Sequence, residues 1–231
     1  MRRIIAVALA LAALAAPADA QQMIQNGGFE FGLSSWNPLA WPGSNGDVFT
    51  STSTTTPLSG RDAIGPHSGT RYALTDMTEA GAYEIQQTFQ LSAAATSAIF
   101  SFAMSIDNFA NAATIGLGFD PFNGPNQYVS VDLFAGTPSP FSSASLMNFY
   151  KGSTTSFGPN PYVTYTFDIT ALLNAAGDYT IRFAEVDNQG YHNMAVDDVS
   201  LVVVATPEPG SALLVGIGLF GIFAGRLRRR V

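Results

Sequence analysis

The sequence predicts an all-β fold, a two-sheet antiparallel jelly-roll sandwich. Short runs of β-branched and aromatic residues recur along the central part of the chain, and clusters of Gly, Pro, Asn and Asp separate them. No long amphipathic helix pattern interrupts them. About nine such runs without helices between them favour a sandwich or jelly roll over an α/β fold.

The predicted strands follow the alternation of side chains. They cover residues 23–29, 71–77, 83–91, 98–106, 114–119, 128–134, 162–169, 179–186 and 194–204. The run 98–106 alternates most clearly, with Phe100, Phe102 and Met104 on one face and Ile99 and small residues on the other. This pattern predicts an antiparallel strand with one face buried and one exposed.

Two segments rich in Ser, Thr and Pro, residues 50–59 and 136–145, are too polar and too broken to be strands. We expect them to be surface loops at the ends of the sandwich. Residues 171–176 are expected to form a single helical turn, for which Gly177 would be the C-terminal stop.

The N-terminus has the pattern of a secretory signal peptide over residues 1–20. Arg2 and Arg3 precede an apolar run from residue 4 to 16, and Ala18-Asp19-Ala20 provides a small-residue cleavage site. We therefore expect a signal helix that is removed on export.

The C-terminus, residues 206–231, combines three parts. The motif Pro207-Glu208-Pro209 comes first, an apolar run over residues 211–225 follows, and the chain closes with Arg226, Arg228, Arg229 and Arg230. About 15 helical residues span ~22 Å, against a hydrocarbon core of ~30 Å. The pattern predicts a short transmembrane helix whose arginine end stays cytoplasmic.

The intervening residues 21–205 are long enough for one β-domain. Six of the ten Lys and Arg residues lie in the two ends, but only two of the 17 acids do, so this region has a net charge of −11. Such a charge excludes nucleic acid as a partner and suits an extracellular protein. No cysteine is present, so no disulfide supports the domain.

The three-part tail closely resembles the PEP-CTERM sorting signal of Gram-negative bacteria, which is also catalogued as the ice-binding protein C-terminal domain. The resemblance implies recognition by a membrane-embedded exosortase and cleavage near Pro207-Glu208-Pro209. It further implies an inner-membrane intermediate and delivery to the cell surface or the extracellular matrix. An ordinary C-terminal membrane anchor is the alternative interpretation.

The central region resembles the galactose-binding-like jelly rolls of many carbohydrate-binding modules. Four segments carry this resemblance in the order of that family: Asn26-Gly27-Gly28-Phe29-Glu30 followed by Trp36, then residues 67–74, then 168–183, and finally 195–201. Residues 107–161 have no counterpart in it. The resemblance implies the same sandwich fold and carbohydrate binding by analogy.

In the modules that the chain resembles, a structural Ca²⁺ joins the first strand, a Ser-Gly loop and the last strand. Carried over to this sequence, the metal ligands are Glu30, Ser68, Arg71 and Asp197, which would offer oxygen atoms to a hard cation. The alternative is that Glu30 and Asp197 accept backbone hydrogen bonds at strand ends.

The sequence offers little support for catalysis. It contains no G-x-S-x-G or H-E-x-x-H motif, and His67 and His192 are its only histidines. His67 is expected to be a loop residue packed at the sandwich edge. Asp197 and Asp198 are neighbours on one strand and should point to opposite faces, so they cannot flank one sugar bond.

Three aromatic residues are candidates for stacking on a glycan, namely Trp41, Tyr128 and Tyr150. Trp36 is better explained as a core residue. The sequence therefore predicts an exported, non-enzymatic surface or extracellular-matrix protein that is sorted by exosortase and binds exopolysaccharide. A secreted glycan-active enzyme and a purely structural matrix protein or adhesin are the alternatives.

Overall fold

The structure, a computed structural model, describes residues 19–110 and 112–205, and within these ranges it contains eleven strands and no helix. The strands are β1 Ala20–Gln22, β2 Asn37–Ala40, β3 Gly46–Ser51, β4 Tyr72–Met77, β5 Gly81–Leu91, β6 Ala95–Asn108, β7 Gln127–Ala135, β8 Met147–Gly152, β9 Val163–Asp168, β10 Gly177–Asp187 and β11 His192–Ala205. The predicted all-β class is confirmed.

The strands form two antiparallel sheets, which we call sheet A and sheet B. Sheet A has the order β3-β4-β11-β6-β9, with β1 added along β11, and sheet B has the order β2-β5-β10-β7-β8. The inner faces of both sheets supply one large apolar core. This is the predicted two-sheet sandwich.

Strand β6 shows how the alternation builds the core. Phe100, Phe102 and Met104 face inward and are at most 2% exposed, as predicted. On the other face Ile99 is 39% exposed, but Ser105 is buried because it donates a hydrogen bond to the carbonyl of Asn160. The predicted exposed face is therefore right for the first half of β6 and wrong for the second half.

Of the eight other predicted strands, two are wrong, because residues 23–29 and 114–119 are not strands. In the first segment Asn26 and Phe29 have φ of 51° and 55°, so the chain turns there. Gly27 lies so close to the carbonyl of Val199 that any side chain would clash with it. The other predicted runs correspond to β4, β5, β7, β9, β10 and β11.

Four short strands were missed, namely β1, β2, β3 and β8, and the last three of them contain Pro, Gly or Asn. The expected helical turn at 171–176 is instead a hydrogen-bonded turn, in which the N–H of Leu172 donates to the carbonyl of Ile169 at 2.9 Å. Gly177 begins β10. The two expected loops, 50–59 and 136–145, are confirmed except for Thr50 and Ser51, which end β3.

The two chain ends of the described domain lie side by side. Ala20 of β1 pairs with Val204 of β11, and β11 ends at Ala205. Residues 1–18 of the predicted signal peptide (residues 1–20) and the predicted transmembrane helix lie outside the described residues, and Ala20, the last residue of that peptide, begins β1. Within the described ranges, no helix has the length and apolar character needed to cross a membrane.

Candidate functional site

The central strand pair of sheet B, β5 and β10, concentrates buried polar atoms without partners. The two strands are antiparallel neighbours over their full length. Seven buried side-chain N or O atoms have no hydrogen-bond partner among the described residues, and five of them lie on these two strands: Tyr83 OH, Glu84 Oε1, Gln86 Oε1, Arg182 Nε and Glu185 Oε2. Since native proteins pair nearly all such atoms, this concentration marks a candidate site.

Arg182 is the centre of the outer face of sheet B. Only 1% of the residue is exposed. Its guanidinium donates to Asp132 Oδ2 at 2.5 Å and to Glu84 Oε2 at 3.3 Å, and it lies 4.9 and 4.7 Å from the ring centroids of Phe119 and Phe134. Burial raises the pKa of Glu84, while the charge of Arg182 opposes this shift. One buried cation thus serves two carboxylates.

Residues 136–145, which we call the strap, lie across this face. The N–H of Phe141 donates to Glu84 Oε2 at 3.0 Å, and Arg182 donates to the carbonyl of Ser142 at 2.8 Å. The Phe141 ring packs 5.2 Å from Trp41, and its backbone has a φ of 55°. Phe141 and Ser142 therefore hold the middle of the strap on the sheet, and Gly136 at its start is hydrogen-bonded to Asp178 and Thr180 of β10.

A cavity lies on each side of the strap. The first, of about 400 Å³, is lined by apolar residues of β2, the turn after it and the strap: Leu39, Ala40, Trp41, Pro42, Pro140 and Phe141. The second, of about 120 Å³, is lined by the charged residues Asp132, Arg182 and Lys151, by Ser143 and Ser145 of the strap, and by apolar residues that include Phe119 and Tyr128. An apolar groove and a smaller cavity with charged residues in its lining therefore share one face of the molecule.

The three residues predicted to stack on a glycan lie in three different environments. Trp41 is half-buried and lines the larger cavity. Tyr128 is only 1% exposed, because Phe119 packs against its ring and the Lys151 amine lies 4.7 Å from the ring centroid, so it has no free face for a sugar. Tyr150 is half-buried and contacts the edge of Tyr165. Trp36 is 6% exposed in the core, as predicted.

The four predicted metal ligands meet at the loop of residues 67–71. Glu30 accepts hydrogen bonds from the N–H groups of Thr70 and Arg71, at 2.7 and 3.0 Å. Asp197 Oδ2 accepts from the N–H groups of His67 and Ser68, at 2.9 and 3.0 Å. The hydrogen bonds to Thr70 lower the pKa of Glu30, whereas burial raises that of Asp197 against the effect of its N–H donors.

These carboxylates face hydrogen-bond donors, which is the arrangement of the alternative interpretation. A cation would need oxygen atoms directed at one point, and here the loop directs N–H groups at both acids. Within residues 19–110 and 112–205, no group of three or more His, Asp or Glu side chains is placed to hold a metal ion. In this arrangement the N–H groups of the loop bind both acids, and the Ca²⁺ site stays a prediction.

The expectation that Asp197 and Asp198 point to opposite faces is wrong. Strand β11 has a bulge between Asp197 and Ser200, where Asp198 adopts a φ of 51°. Asp198 consequently turns to the same loop, lying 2.6 Å from both His67 Nδ1 and Ser68 Oγ. His67 also packs on Tyr162, as expected for a residue at the sandwich edge. A bulge re-aims a side chain, and strict alternation fails there.

Near the C-terminal end of β10, three side chains form a hydrogen-bonded chain that the sequence did not predict. Ser153 Oγ lies 3.2 Å from His192 Nε2, and His192 Nδ1 lies 3.2 Å from Glu185 Oε1. Burial lowers the pKa of His192 to about 3 and raises that of Glu185 well above its usual range. A histidine with so low a pKa is a poor general base at neutral pH, so the chain is better explained as interior structure.

Two residues of the outer face, Glu84 and Arg182, stand out in the sequence. Glu84 and Arg182 are charged residues that each stand between two apolar neighbours in a strand pattern, where an unpaired charge would be costly if buried. Their positions on opposed strands, however, depend on a register between residues about 100 positions apart. That register could not be derived from the local patterns.

Comparison with known proteins identifies a sorting motif in the tail and structures with a similar fold for the domain. Residues 205–230 match the family model described as the PEP-CTERM protein-sorting motif. No curated protein matches the chain in sequence.

Several solved structures are similar at low identity. TmCBM61 in complex with β-1,4-galactotriose has 13% identity and a TM-score of 0.48, covering 78% of this chain and 97% of that one. The K3 cleaved adhesin domain of Lys-gingipain from Porphyromonas gingivalis w83 has 15% identity and a TM-score of 0.48, covering 80% and 99%. The Stig cyclase Fisc from Fischerella sp. TAU has 17% and 0.47, covering 82% and 100%. These likenesses carry no inference about function.

Proposed function

We propose that this chain, with its PEP-CTERM sorting motif at residues 205–230, is a non-enzymatic surface or extracellular-matrix protein that binds exopolysaccharide. The motif implies processing by exosortase and passage through the membrane. The route we propose runs through an inner-membrane intermediate to the cell surface or matrix of a Gram-negative bacterium. The domain would be released with β11 ending directly before the cleaved segment, at Ala205.

The groove of Trp41 is the observation that supports glycan binding. Its half-exposed indole, flanked by Pro42 and Pro140, lines a cavity of about 400 Å³. That volume falls within the range of ligand pockets in proteins. The apolar face of a sugar ring stacks on such an aromatic surface, while its hydroxyls can bond to polar groups nearby.

The carboxylates on the same face support a non-enzymatic role. A glycosidase needs two carboxyl groups that flank the scissile bond, roughly 5–10 Å apart and free to react. Here Glu84 and Asp132 are at most 3% exposed and both are bonded to Arg182. This arrangement favours binding over the alternative of a glycan-active enzyme.

Polysaccharide pull-down with the processed protein tests the proposal. We expect Trp41→Ala to lower retention at least tenfold, because the stacking surface is lost. Phe31→Ala is the matched control, since Phe31 is an aromatic residue that is 82% exposed and lies outside the groove. Equal retention of the two variants would contradict the groove, and no retention of the wild type would favour the structural matrix protein or adhesin.

Mass spectrometry tests the sorting step independently. Protein recovered from the surface fraction of its own host should have a C-terminus close to Pro207. Recovery of an intact Val231 there would instead indicate an uncleaved membrane anchor.

A further inference from the structure

Three polar atoms without partners lie next to one another on the outer face of sheet B. Gln86 and Arg182 are directly opposed across the β5–β10 ladder, and Glu84 is two positions from Gln86 on the same face. Glu84 Oε1, Gln86 Oε1 and Arg182 Nε are buried and have no partner among the described residues. The residues themselves are 0%, 6% and 1% exposed.

The three unpaired atoms consist of one hydrogen-bond donor and two acceptors. Arg182 Nε is a donor, and the two Oε1 atoms are acceptors. Two neighbouring hydroxyl groups, each of which both donates and accepts, would satisfy all three atoms at once. An ordered polar ligand would thereby remove the desolvation cost that the unpaired atoms carry.

The strap lies over Glu84 and Arg182, between the two cavities. Leu39, which lies opposite Glu84 across the β2–β5 ladder, lines the larger cavity, and Arg182 lines the smaller one. The strap crosses between them, with Phe141 on one side and Ser143 on the other. Lifting the strap would join the two cavities into one cleft with Glu84, Gln86 and Arg182 on its floor.

The charges on this face select the class of ligand. Arg182 is already matched by Glu84 and Asp132, and the Lys151 amine donates to the carbonyl of Gly116. Among the described residues, the two cavities have no cation in their linings other than Arg182 and Lys151, and residues 21–205 have a net charge of −11. A uronate or sulfate group would be repelled, whereas an uncharged sugar would not.

We propose that Glu84, Gln86 and Arg182 form a subsite for two adjacent hydroxyls of an uncharged sugar, which the strap covers until a polysaccharide binds alongside Trp41. This subsite rests on the proposed polysaccharide-binding function and specifies its ligand class. The hydrogen bonds that the Phe141 N–H donates to Glu84 and that the Ser142 carbonyl accepts from Arg182 break when the strap lifts.

Gln86→Leu is the sharpest variant, because it removes an unpaired buried oxygen without touching the Arg182 ion pairs. We expect binding of soluble neutral glucan, galactan or mannan, whichever the wild-type processed protein binds, to weaken at least tenfold. The melting temperature should stay unchanged or rise, since no hydrogen bond of Gln86 Oε1 is lost. Gln90→Leu, on the same face of β5 but exposed, is the matched control and should bind like the wild type.

The outcomes separate the subsite from the proposed function. Loss of binding in Trp41→Ala with full binding in Gln86→Leu would overturn the subsite and leave glycan binding in place. Binding of polygalacturonate in preference to the neutral polymers would overturn the ligand class. Binding of no polymer at all would overturn the proposed function itself.

If Gln86→Leu fails to fold, hydrogen exchange of the wild-type protein still tests whether the strap opens when polysaccharide binds. The Phe141 amide is held by Glu84 in the structure, so its exchange should become at least tenfold faster when a saturating neutral polysaccharide lifts the strap. Unchanged or slower exchange of this amide in the bound protein would overturn the opening of the strap.

Discussion

At the loop of residues 67–71 the buried Asp197 and the exposed Glu30 have hydrogen-bond donors, whereas the β5–β10 strand pair leaves buried polar atoms without partners. At the loop, Asp197 accepts three backbone N–H groups, from His67, Ser68 and Asp198, and Glu30 accepts two more. On β5 and β10, five buried polar atoms have no partner among the described residues. Both regions are rich in acids, so the difference lies in their surroundings.

This difference in hydrogen bonding distinguishes residues that stabilise the fold from residues that serve function. A buried carboxylate that accepts every nearby N–H stabilises the backbone around it, and its loss is a loss of stability. A buried polar atom left unpaired lowers stability, and it is retained where a ligand or a charge state makes use of it. We therefore expect mutations at the loop to affect folding and mutations on β5–β10 to affect binding or pH response.

Asp197→Ala should give the largest effect. The substitution leaves three N–H groups without an acceptor at a residue that is 0% exposed, and each such group costs about 1–3 kcal/mol. We expect a loss of roughly 3 kcal/mol and a fall of about 6–12 °C in melting temperature. Asp178→Ala, at an exposed acid of β10, should change little. A shift as small as that of the control would show that the loop does not depend on Asp197.

Calcium tests whether the loop also holds a cation. If Glu30, Ser68, Arg71 and Asp197 are ligands, Ca²⁺ at 100 times its Kd should stabilise the protein by about 2.7 kcal/mol, worth roughly 5–10 °C. Glu30→Ala should abolish this gain. Asp198→Ala is unsuitable as the control because Asp198 contacts the same loop, so Asp178→Ala serves instead. An unchanged melting temperature after complete chelation with EDTA would leave hydrogen bonding as the full explanation.

The pH dependence of the free energy of unfolding should come from the buried acids of β10. Burial raises the pKa of Asp187 to about 8 from an unfolded value near 3.8. Such a group stabilises the fold while protonated, and this contribution is lost as pH rises through the folded pKa. The loss runs from about pH 4 to pH 8; for one proton it is ~1.4 kcal/mol per pH unit up to about pH 7 and about half of that at pH 8.

Urea unfolding at several pH values measures this slope. Asp187→Asn keeps an acceptor for the Gly81 N–H, which Asp187 binds at 3.1 Å, but cannot ionise. We expect a shallower decline from pH 6.5 to 8, with the remainder due to Glu185. Below pH 6.5 the buried His192, with a pKa near 3, acts in the opposite direction and reduces stability as pH falls. Equal slopes for wild type and variant would assign the pH response elsewhere.

The sequence predicted most of the fold because strand patterns are local. It failed at residues 23–29, where positive φ at Asn26 and Phe29 turns the chain, and at β2, where Pro38 and Ala40 give no strand pattern. The site was less predictable. Trp41 was identified from its flanks, but the opposition of Gln86 and Arg182 depends on a distant register, and the aim of Asp198 depends on a bulge.

Chemical-shift mapping by NMR tests the central claim most directly, that the outer face of β5 and β10 is the ligand face. The processed protein would be titrated with fragments of a neutral polysaccharide that it binds. We predict that the perturbed amides cluster at Trp41, Glu84, Gln86, Phe141 and Arg182, while those of residues 67–71 stay unchanged. Perturbations confined to residues 67–71, or spread over sheet A, would contradict the account.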